Sequence, residues 1–248
     1  MSDKQKTIMI TGATGGIGSA ITQILLNNNH KVIGWGRKPC LTPGLIQNNN
    51  YQHHICDFGN PEAAEKAAKE LLKSLPFKTL STKSLTGIDA LILAAGFGQF
   101  NELEQFSLKQ MQNLMNVNFI SQAVITKTVL PLIKKSANSK IIAIASESAL
   151  VGARKGSLYC ASKFALRGFM QSLRAECTQS ETAVTIVNPG LVNTDFFNNL
   201  AFRPGSDESN FITPKQIAKI LAMILDMENN CIFEEINLQP LKKVIQKQ

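Results

Sequence analysis

The sequence has no apolar run of the roughly 18–20 residues that a membrane-spanning helix needs. Its first six residues are polar and lead directly into the apolar run that begins at Thr7, which leaves no room for a signal peptide. Together these absences predict a cytoplasmic protein that neither crosses nor binds a membrane.

Cysteine is scarce and scattered. The five cysteines form no C-x-x-C pair, so neither a disulfide framework nor a zinc site is expected. His53 and His54 are neighbours on a predicted strand, where successive side chains point to opposite faces. The sequence therefore predicts reduced thiols and no metal.

A basic stripe interleaved with aromatic residues is also missing. The formal net charge is +8, but the cations are spread along the chain, with only short pairs such as Lys134-Lys135. This pattern gives little support to nucleic acid as a partner. The positive charge is interpreted as a solubilising surface.

What is present is a regular alternation of strand and helix patterns along 248 residues. The predicted strands are 7–11, 31–35, 51–56, 88–94, 140–145, 183–188 and 231–238. The predicted helices are 15–28, 61–75, 107–135, 157–177 and 213–227, with loops over 75–87 and 190–210. Pro131 is expected to kink or end the helix that contains it, because proline removes a backbone donor. The pattern predicts one α/β domain over 1–248. We expect a Rossmann-type, doubly wound, mostly seven-stranded parallel sheet with helices on both faces.

A glycine-rich turn follows the first predicted strand. Gly12 permits a sharp turn, and Gly16 and Gly18 permit close approach of the backbone to a bound pyrophosphate. The helix that begins there offers unpaired N–H groups and the positive end of its dipole to an anion. The spacing is G-x-x-x-G-x-G rather than G-x-G-x-x-G. The predicted cofactor-binding residues of the turn are Gly12, Thr14, Gly15, Gly16, Ile17 and Gly18.

The acidic residue that reads the ribose of NAD is missing from the end of the second strand. The strand ends instead at Gly36-Arg37-Lys38. A carboxylate would repel a 2′-phosphate, whereas Arg37 can bind one bidentately. Arg37 and Lys38 therefore predict NADP(H) as the preferred cofactor.

A candidate catalytic pair lies on the helix predicted over 157–177. Tyr159 and Lys163 are four residues apart and so share one face. A nearby ammonium group is expected to lower the pKa of the tyrosine. Ser146 follows the strand over 140–145, at the edge where open α/β sheets bind ligands. Ser148 is a second serine candidate, two positions later.

These motifs resemble the short-chain dehydrogenase/reductase family over essentially the whole chain. The matching residues are Thr11-Gly12-x-x-x-Gly16-Ile17-Gly18, Asp57, Asn118, Ser146, Tyr159-x-x-x-Lys163 and Asn188-Pro189-Gly190-x-x-x-Thr194. The resemblance implies hydride transfer between NADP(H) and a carbonyl or secondary alcohol substrate. It also implies a homodimer or homotetramer, in which the helices over 107–135 and 157–177 pack against their copies.

The resemblance assigns a role to each residue. Tyr159 would move a proton to or from the substrate oxygen, and Ser146 would hydrogen-bond that oxygen. Lys163 would hold the nicotinamide ribose and lower the pKa of Tyr159, while Asn118 would hold a water for proton resupply. The other implied cofactor contacts are Asp57 at the adenine, Gly96, Pro189, Gly190, and Thr194 at the carboxamide.

The chain departs from the family pattern in two places. The usual N-N-A-G is here Leu93-Ala94-Ala95-Gly96, which lacks two bracing amides, although Gly96 keeps the close approach to the cofactor. A basic tail replaces the common Asp-Gly-Gly ending of the last strand.

The Phe-rich segment about 190–212 is interpreted as a substrate lid. It favours an apolar ketone such as a 3-oxoacyl compound, although its side chains could equally serve to pack the lid onto the body. A non-enzymatic NADP(H) sensor or scaffold is the alternative function.

Overall fold

The structure is a computed structural model that describes residues 5–40, 43–74 and 87–248. The loop predicted over 75–87 lies, apart from Gly87, outside the described residues. The strands are β1 (Thr7–Thr11), β2 (Lys31–Gly36), β3 (Tyr51–Ile55), β4 (Ala90–Leu93), β5 (Lys140–Ile144), β6 (Ala183–Pro189), β7 (Phe202–Pro204), β8 (Glu235–Leu238) and β9 (Ile245–Lys247). Seven of them form one parallel sheet in the order β3-β2-β1-β4-β5-β6-β8, whereas β7 and β9 pair antiparallel.

Helices cover both faces of the sheet. They are α1 (Gly16–Asn27), α2 (Pro43–Ile46), α3 (Pro61–Ser74), α4 (Leu108–Met115), α5 (Ser121–Ile133), α6 (Ser157–Cys177) and α7 (Pro214–Asp226). Strand residues alternate between two hydrophobic clusters: Met9 packs with side chains of α3, α5 and α6, and Ile8 packs with side chains of α1 and α7. The predicted doubly wound Rossmann-type fold is confirmed.

No helix in the described ranges is long and apolar enough to span a bilayer.

The prediction of one helix over 107–135 is wrong. A π-helical turn, Asn116–Ile120, separates α4 from α5. Pro131 lies inside α5, which continues to Ile133, so the proline does not end the helix where it occurs. The side-chain amide of Gln122 donates to the carbonyl of Val117 across 2.9 Å and so supplies a partner within the π turn.

The chain near the C-terminus also differs from its prediction. The last strand of the main sheet begins at Glu235 rather than Cys231, because it pairs only with the final residues of β6. The segment predicted as irregular contains β7, and the basic tail forms β9 beside it. The predicted strand over 88–94 is likewise shorter, Ala90–Leu93.

Candidate active site

The glycine-rich turn joins β1 to α1, and a side chain at Gly12 or Gly18 would collide with the backbone. Gly12 has a φ of +72°, and a Cβ there would lie 2.8 Å from the backbone of Ala95. A Cβ at Gly18 would lie 2.1 Å from the carbonyl oxygen of Gly12. Because the first amides of a helix have no intrahelical acceptor, the start of α1 presents free N–H donors beside an exposed backbone at Gly15.

Thr194 closes this turn from the opposite side. Gly16 has a φ of +30°, and a Cβ there would lie 2.9 Å from Cγ2 of Thr194. Gly12, Gly16 and Thr194 therefore border a cradle at the positive end of α1 that is open at Gly15, where a Cβ would meet no heavy atom within 4 Å. Such a cradle fits the pyrophosphate of a dinucleotide.

The Arg37-Lys38 pair directly follows β2, and both side chains are exposed. In the part of the chain that the structure describes, no acidic residue forms an ion pair with either cation. A Cβ at Gly36 would lie 2.9 Å from Oγ1 of Thr14, so this end of β2 borders the glycine turn. Asp57 is exposed just beyond the adjacent strand β3, where its carboxylate accepts from the amide of Gly59 at 2.9 Å.

Tyr159, Lys163 and Ser146 are brought together at the carboxyl edge of the sheet. The Lys163 ammonium lies 5.9 Å from the centre of the Tyr159 ring and donates to the carbonyl of Ile144 at 3.1 Å. Ser146 follows β5, and its hydroxyl interacts with Tyr159 and accepts from the amide of Ser148 at 3.1 Å. The structure thus places Ser146, rather than Ser148, against the tyrosine.

Burial shifts the pKa values of both helix residues. It raises the pKa of Tyr159 to about 12, and the interaction with Ser146 only partly opposes this. Burial also lowers the pKa of Lys163 to about 8. The predicted lowering of the Tyr159 pKa is therefore wrong for this structure, because loss of hydration outweighs any effect of the neighbouring amine. Tyr159 keeps its proton across the neutral range and can donate it.

Asn118 lies in the π turn and is fully buried. Its amide donates to the carbonyl of Phe97 and to the Ser162 hydroxyl, both at 3.0 Å, and its oxygen accepts from the Phe97 amide at 3.0 Å. A Cβ at Gly96 would lie 3.2 Å from Asn118 Oδ1 and 3.4 Å from Lys163 Nζ. The side chain of Asn118 therefore fixes the loop after β4 to α6, while Gly96 leaves space beside the lysine.

The Ala94-Ala95 segment is braced by Thr11 and Gln122, through contacts that the sequence does not predict. The Thr11 hydroxyl accepts from the amides of Ala94 at 3.1 Å and Ala95 at 3.2 Å, and it bonds in turn to Gln122. These residues are far apart in the chain, so no local pattern indicates the contact.

Four phenylalanines form an aromatic cluster on Tyr159. Ring centres of Phe100 and Phe196 lie 5.0 Å and 5.9 Å from that of Tyr159. Phe202 lies 5.1 Å from Phe100 and 5.8 Å from Phe197, so the cluster extends into β7. The space beside the tyrosine is consequently bounded by apolar rings.

The C-terminal segment, residues 239–248, contacts both the segment 190–212 and the loop after β5. Gln239 and Lys243 donate to the carboxylate of Glu147, at 3.0 Å and 2.6 Å, directly after Ser146. Gln248 donates to the carbonyls of Phe197 and Leu200 at 2.6 Å. Just before this segment, the carbonyl of Leu238, the last residue of β8, accepts at 2.8 Å from the amide of Gly190, which follows Pro189 of β6.

Comparison with known proteins gives concordant matches. A family model described as short chain dehydrogenase matches residues 6–203. The chain is 31% identical over 192 residues to 3-ketodihydrosphingosine reductase of Bacteroides thetaiotaomicron, covering 77% of this chain and 66%, just under two thirds, of that protein. It is 30% identical over 245 residues to the 3-oxoacyl-(acyl-carrier-protein) reductase of Buchnera aphidicola, covering 95% of this chain and 96% of that one. An alcohol dehydrogenase from the archaeon Thermococcus sibiricus, solved with 5-hydroxy-NADP, has the same fold. Its TM-score is 0.83 at 21% identity, covering 97% of this chain and 99% of that chain.

Proposed function

Because the chain belongs to the short-chain dehydrogenase family, whose members are oxidoreductases, we propose that it interconverts an apolar ketone and its alcohol with NADP(H). The observation that carries the proposal is the convergence of Tyr159, Ser146 and Lys163 beside the glycine-rich cradle. A buried phenol that keeps its proton is suited to general acid catalysis.

In the direction of reduction, Tyr159 donates its proton to the carbonyl oxygen of the substrate. Bound NADPH supplies the hydride. The Ser146 hydroxyl hydrogen-bonds the same oxygen and shares the charge that develops on it. Lys163 holds the ribose next to the nicotinamide, and Asn118 fixes the loop that borders this space and holds the water for proton resupply. In the direction of oxidation, Tyr159 takes the proton from the alcohol.

The residues that would hold the cofactor lie between the cradle and the end of β2. The first amides of α1 would bind the pyrophosphate, and Arg37 with Lys38 would bind the 2′-phosphate. Asp57 would contact the adenine and Thr194 the carboxamide. The remaining backbone contacts come from Gly96, Pro189 and Gly190.

The substrate we propose is an apolar ketone, and a 3-oxoacyl compound is the first candidate. Phe100 and Phe196 flank Tyr159 and would exclude water from an apolar chain next to the reacting carbonyl. The segment about 190–212, which carries Phe196, acts as the lid. Two relatives are named as reductases of 3-keto or 3-oxo compounds, which supports the same class.

A turnover assay tests the proposal. The purified chain is mixed with NADPH or NADH and a panel of 3-oxoacyl thioesters, other apolar ketones and polar sugars, and loss of nicotinamide absorbance is recorded. We expect turnover with NADPH and apolar ketones. NADPH binding without turnover of any carbonyl in the panel would favour the sensor, and a preference for sugars would contradict the substrate class.

A further inference from the structure

Two side chains of β3 hold the short turn that carries Arg37 and Lys38. Residues 37–39 are exposed, and Cys40, at the end of the turn, is buried. The side chains that bind this turn come from Tyr51 and His53, which are two residues apart and therefore lie on the same face of the sheet.

His53 bonds directly to the backbone of the turn. Its Nε2 lies 2.9 Å from the carbonyl oxygen of Lys38, and its Nδ1 lies 3.0 Å from the Tyr51 hydroxyl. A carbonyl oxygen only accepts, so Nε2 carries a proton and donates to it. The bond between Nδ1 and the Tyr51 hydroxyl fixes the orientation of the histidine ring.

The Tyr51 side chain is itself fixed by its neighbours. A Cβ at Gly34 would lie 2.6 Å from the Tyr51 hydroxyl, so the ring lies against β2 only because position 34 is glycine. The Cys40 thiol interacts with the same hydroxyl. Burial raises the pKa of Tyr51, and the hydroxyl therefore remains a donor. Tyr51 therefore contacts both Cys40 and His53, and His53 in turn bonds to the Lys38 carbonyl.

The turn is consequently fixed at three points. The carbonyl of Gly36 accepts from the Cys56 amide at 2.9 Å, the carbonyl of Lys38 is held by His53, and Cys40 is anchored beside Tyr51. Within the described residues, no ion pair restrains the side chain of Arg37 itself. Its direction therefore depends on the backbone on which it stands.

We propose that Tyr51 and His53 are positioning residues that set the preference for NADP(H) over NAD(H) by holding the Arg37-Lys38 turn. This inference rests on the proposed contact between that turn and the 2′-phosphate. Neither side chain touches the cofactor in this account. Both side chains restrict the backbone on which Arg37 stands, so Arg37 would lose less conformational freedom when it binds a phosphate. Only NADP(H) carries the 2′-phosphate, so only its binding is favoured.

The test measures dissociation constants of NADPH and NADH for the full chain by nucleotide fluorescence. Tyr51→Phe and His53→Leu should each weaken NADPH binding roughly three- to tenfold, the range of one hydrogen bond, and NADH binding by less than about twofold. His53→Gln, which restores a side-chain N–H, should recover part of the NADPH affinity. Gln52→Ala, an exposed neighbour on the opposite face of β3, is the control and should change neither constant.

Arg37→Ala, measured in parallel, separates the two proposals. If Arg37→Ala lowers the preference for NADPH but Tyr51→Phe and His53→Leu do not, the positioning role is wrong and the phosphate contact stands. If none of the three changes the preference, the phosphate contact is wrong, and the positioning role is wrong with it. Equal weakening of both nucleotides by Tyr51→Phe also overturns the inference, because a general loss of structure does not distinguish them.

Discussion

The hydroxyl of Thr11, at the end of β1, donates a 2.7 Å hydrogen bond to the side-chain oxygen of Gln122, in the first turn of α5. Both residues are fully buried. Through the other half of its amide, Gln122 bonds to the carbonyl of Val117 in the π turn. One side chain therefore links the strand that ends in the phosphate cradle to the turn that carries Asn118.

Replacing the Gln122 amide should lower the free energy of unfolding. Gln122→Leu leaves the Val117 carbonyl without its side-chain partner and removes the acceptor for Thr11, so we expect a loss of roughly 1–3 kcal/mol in the free energy of unfolding. Urea denaturation measures it. Gln23→Leu, at an exposed site on α1, is the matched control and should stay within about 0.5 kcal/mol of wild type.

A double-mutant cycle tests the link itself. Because Thr11 and Gln122 are in contact, Thr11→Ala and Gln122→Leu should couple by roughly 0.5–3 kcal/mol. Additive losses would show that the two residues stabilise the fold independently, and the link between them would be wrong.

Most of the sheet and the central site follow from local sequence patterns. Apolar runs such as Thr7–Thr11 define the buried strands, and the i, i+4 spacing of Tyr159 and Lys163 brings both side chains to one face of α6. These features depend on periodicity alone, and their bounds agree with prediction to the residue for β1 and α6.

The features that sequence analysis missed depend on contacts between distant residues. The π turn interrupts a helix whose apolar pattern runs on without a break, and buried side-chain bonds from Gln122 and Asn118 hold it. Strand β9 forms by main-chain pairing with β7. Its composition, which includes an exposed lysine, is that of a solvated tail. The pKa of Tyr159 depends on burial, which only the folded structure reveals.

The C-terminal segment should control the lid. An isolated two-stranded ribbon is marginally stable, so removal of residues 241–248, which include β9, should release β7. We expect faster proteolysis within 198–210 and a higher KM for the ketone, with little change in the NADPH dissociation constant. Lys243→Met removes only the bond to Glu147 and should leave proteolysis of the lid near wild type. An unchanged digestion pattern in the truncated chain would contradict the role.

Assembly into at least a dimer is expected through α4, α5 and α6. Phe164, on α6, is 43% exposed and is the candidate contact tested for this interface. Light scattering should give at least twice the chain mass of 27.1 kDa, and Phe164→Glu should reduce it. Met223→Glu, on α7 at the opposite face, introduces the same charge at a similarly exposed site and should not. A wild-type mass of 27.1 kDa at micromolar concentration would contradict the prediction.

Lys163 should lower the free energy of unfolding, although it serves the proposed site. Its folded pKa of about 8 is below its ordinary value of 10.5. The unfolded chain therefore binds more protons between these values, and stability rises with pH across that window. Lys163→Met removes a cost of roughly 3 kcal/mol at pH 7, and its advantage over wild type should shrink as pH rises from 8 to 10.5. Denaturation at several pH values measures the difference, and an advantage independent of pH would show that the amine is not the cause.

Ser146→Ala and Ser148→Ala distinguish the two serines after β5. Only Ser146 interacts with the Tyr159 hydroxyl, so only Ser146→Ala should lower kcat, by about 10²–10³ if its hydroxyl acts as an oxyanion donor. Steady-state rates with any ketone found in the assay decide between them. Equal losses in the two variants would indicate a disturbed loop rather than a direct contact with substrate.

Tyr159→Phe is the sharpest test of the chemistry. The change removes one oxygen and keeps the ring, so the packing of Phe100 and Phe196 against it should persist, and the melting temperature should stay close to wild type. The phosphate cradle and Lys163 are untouched, so the NADPH dissociation constant should not change. Loss of the proton donor should lower kcat by roughly 10²–10⁴. Unchanged NADPH binding together with that loss of turnover would support a role for Tyr159 in the chemical step. If the variant keeps more than about a tenth of wild-type turnover, well above that range, another group donates the proton and the proposed role of Tyr159 is wrong.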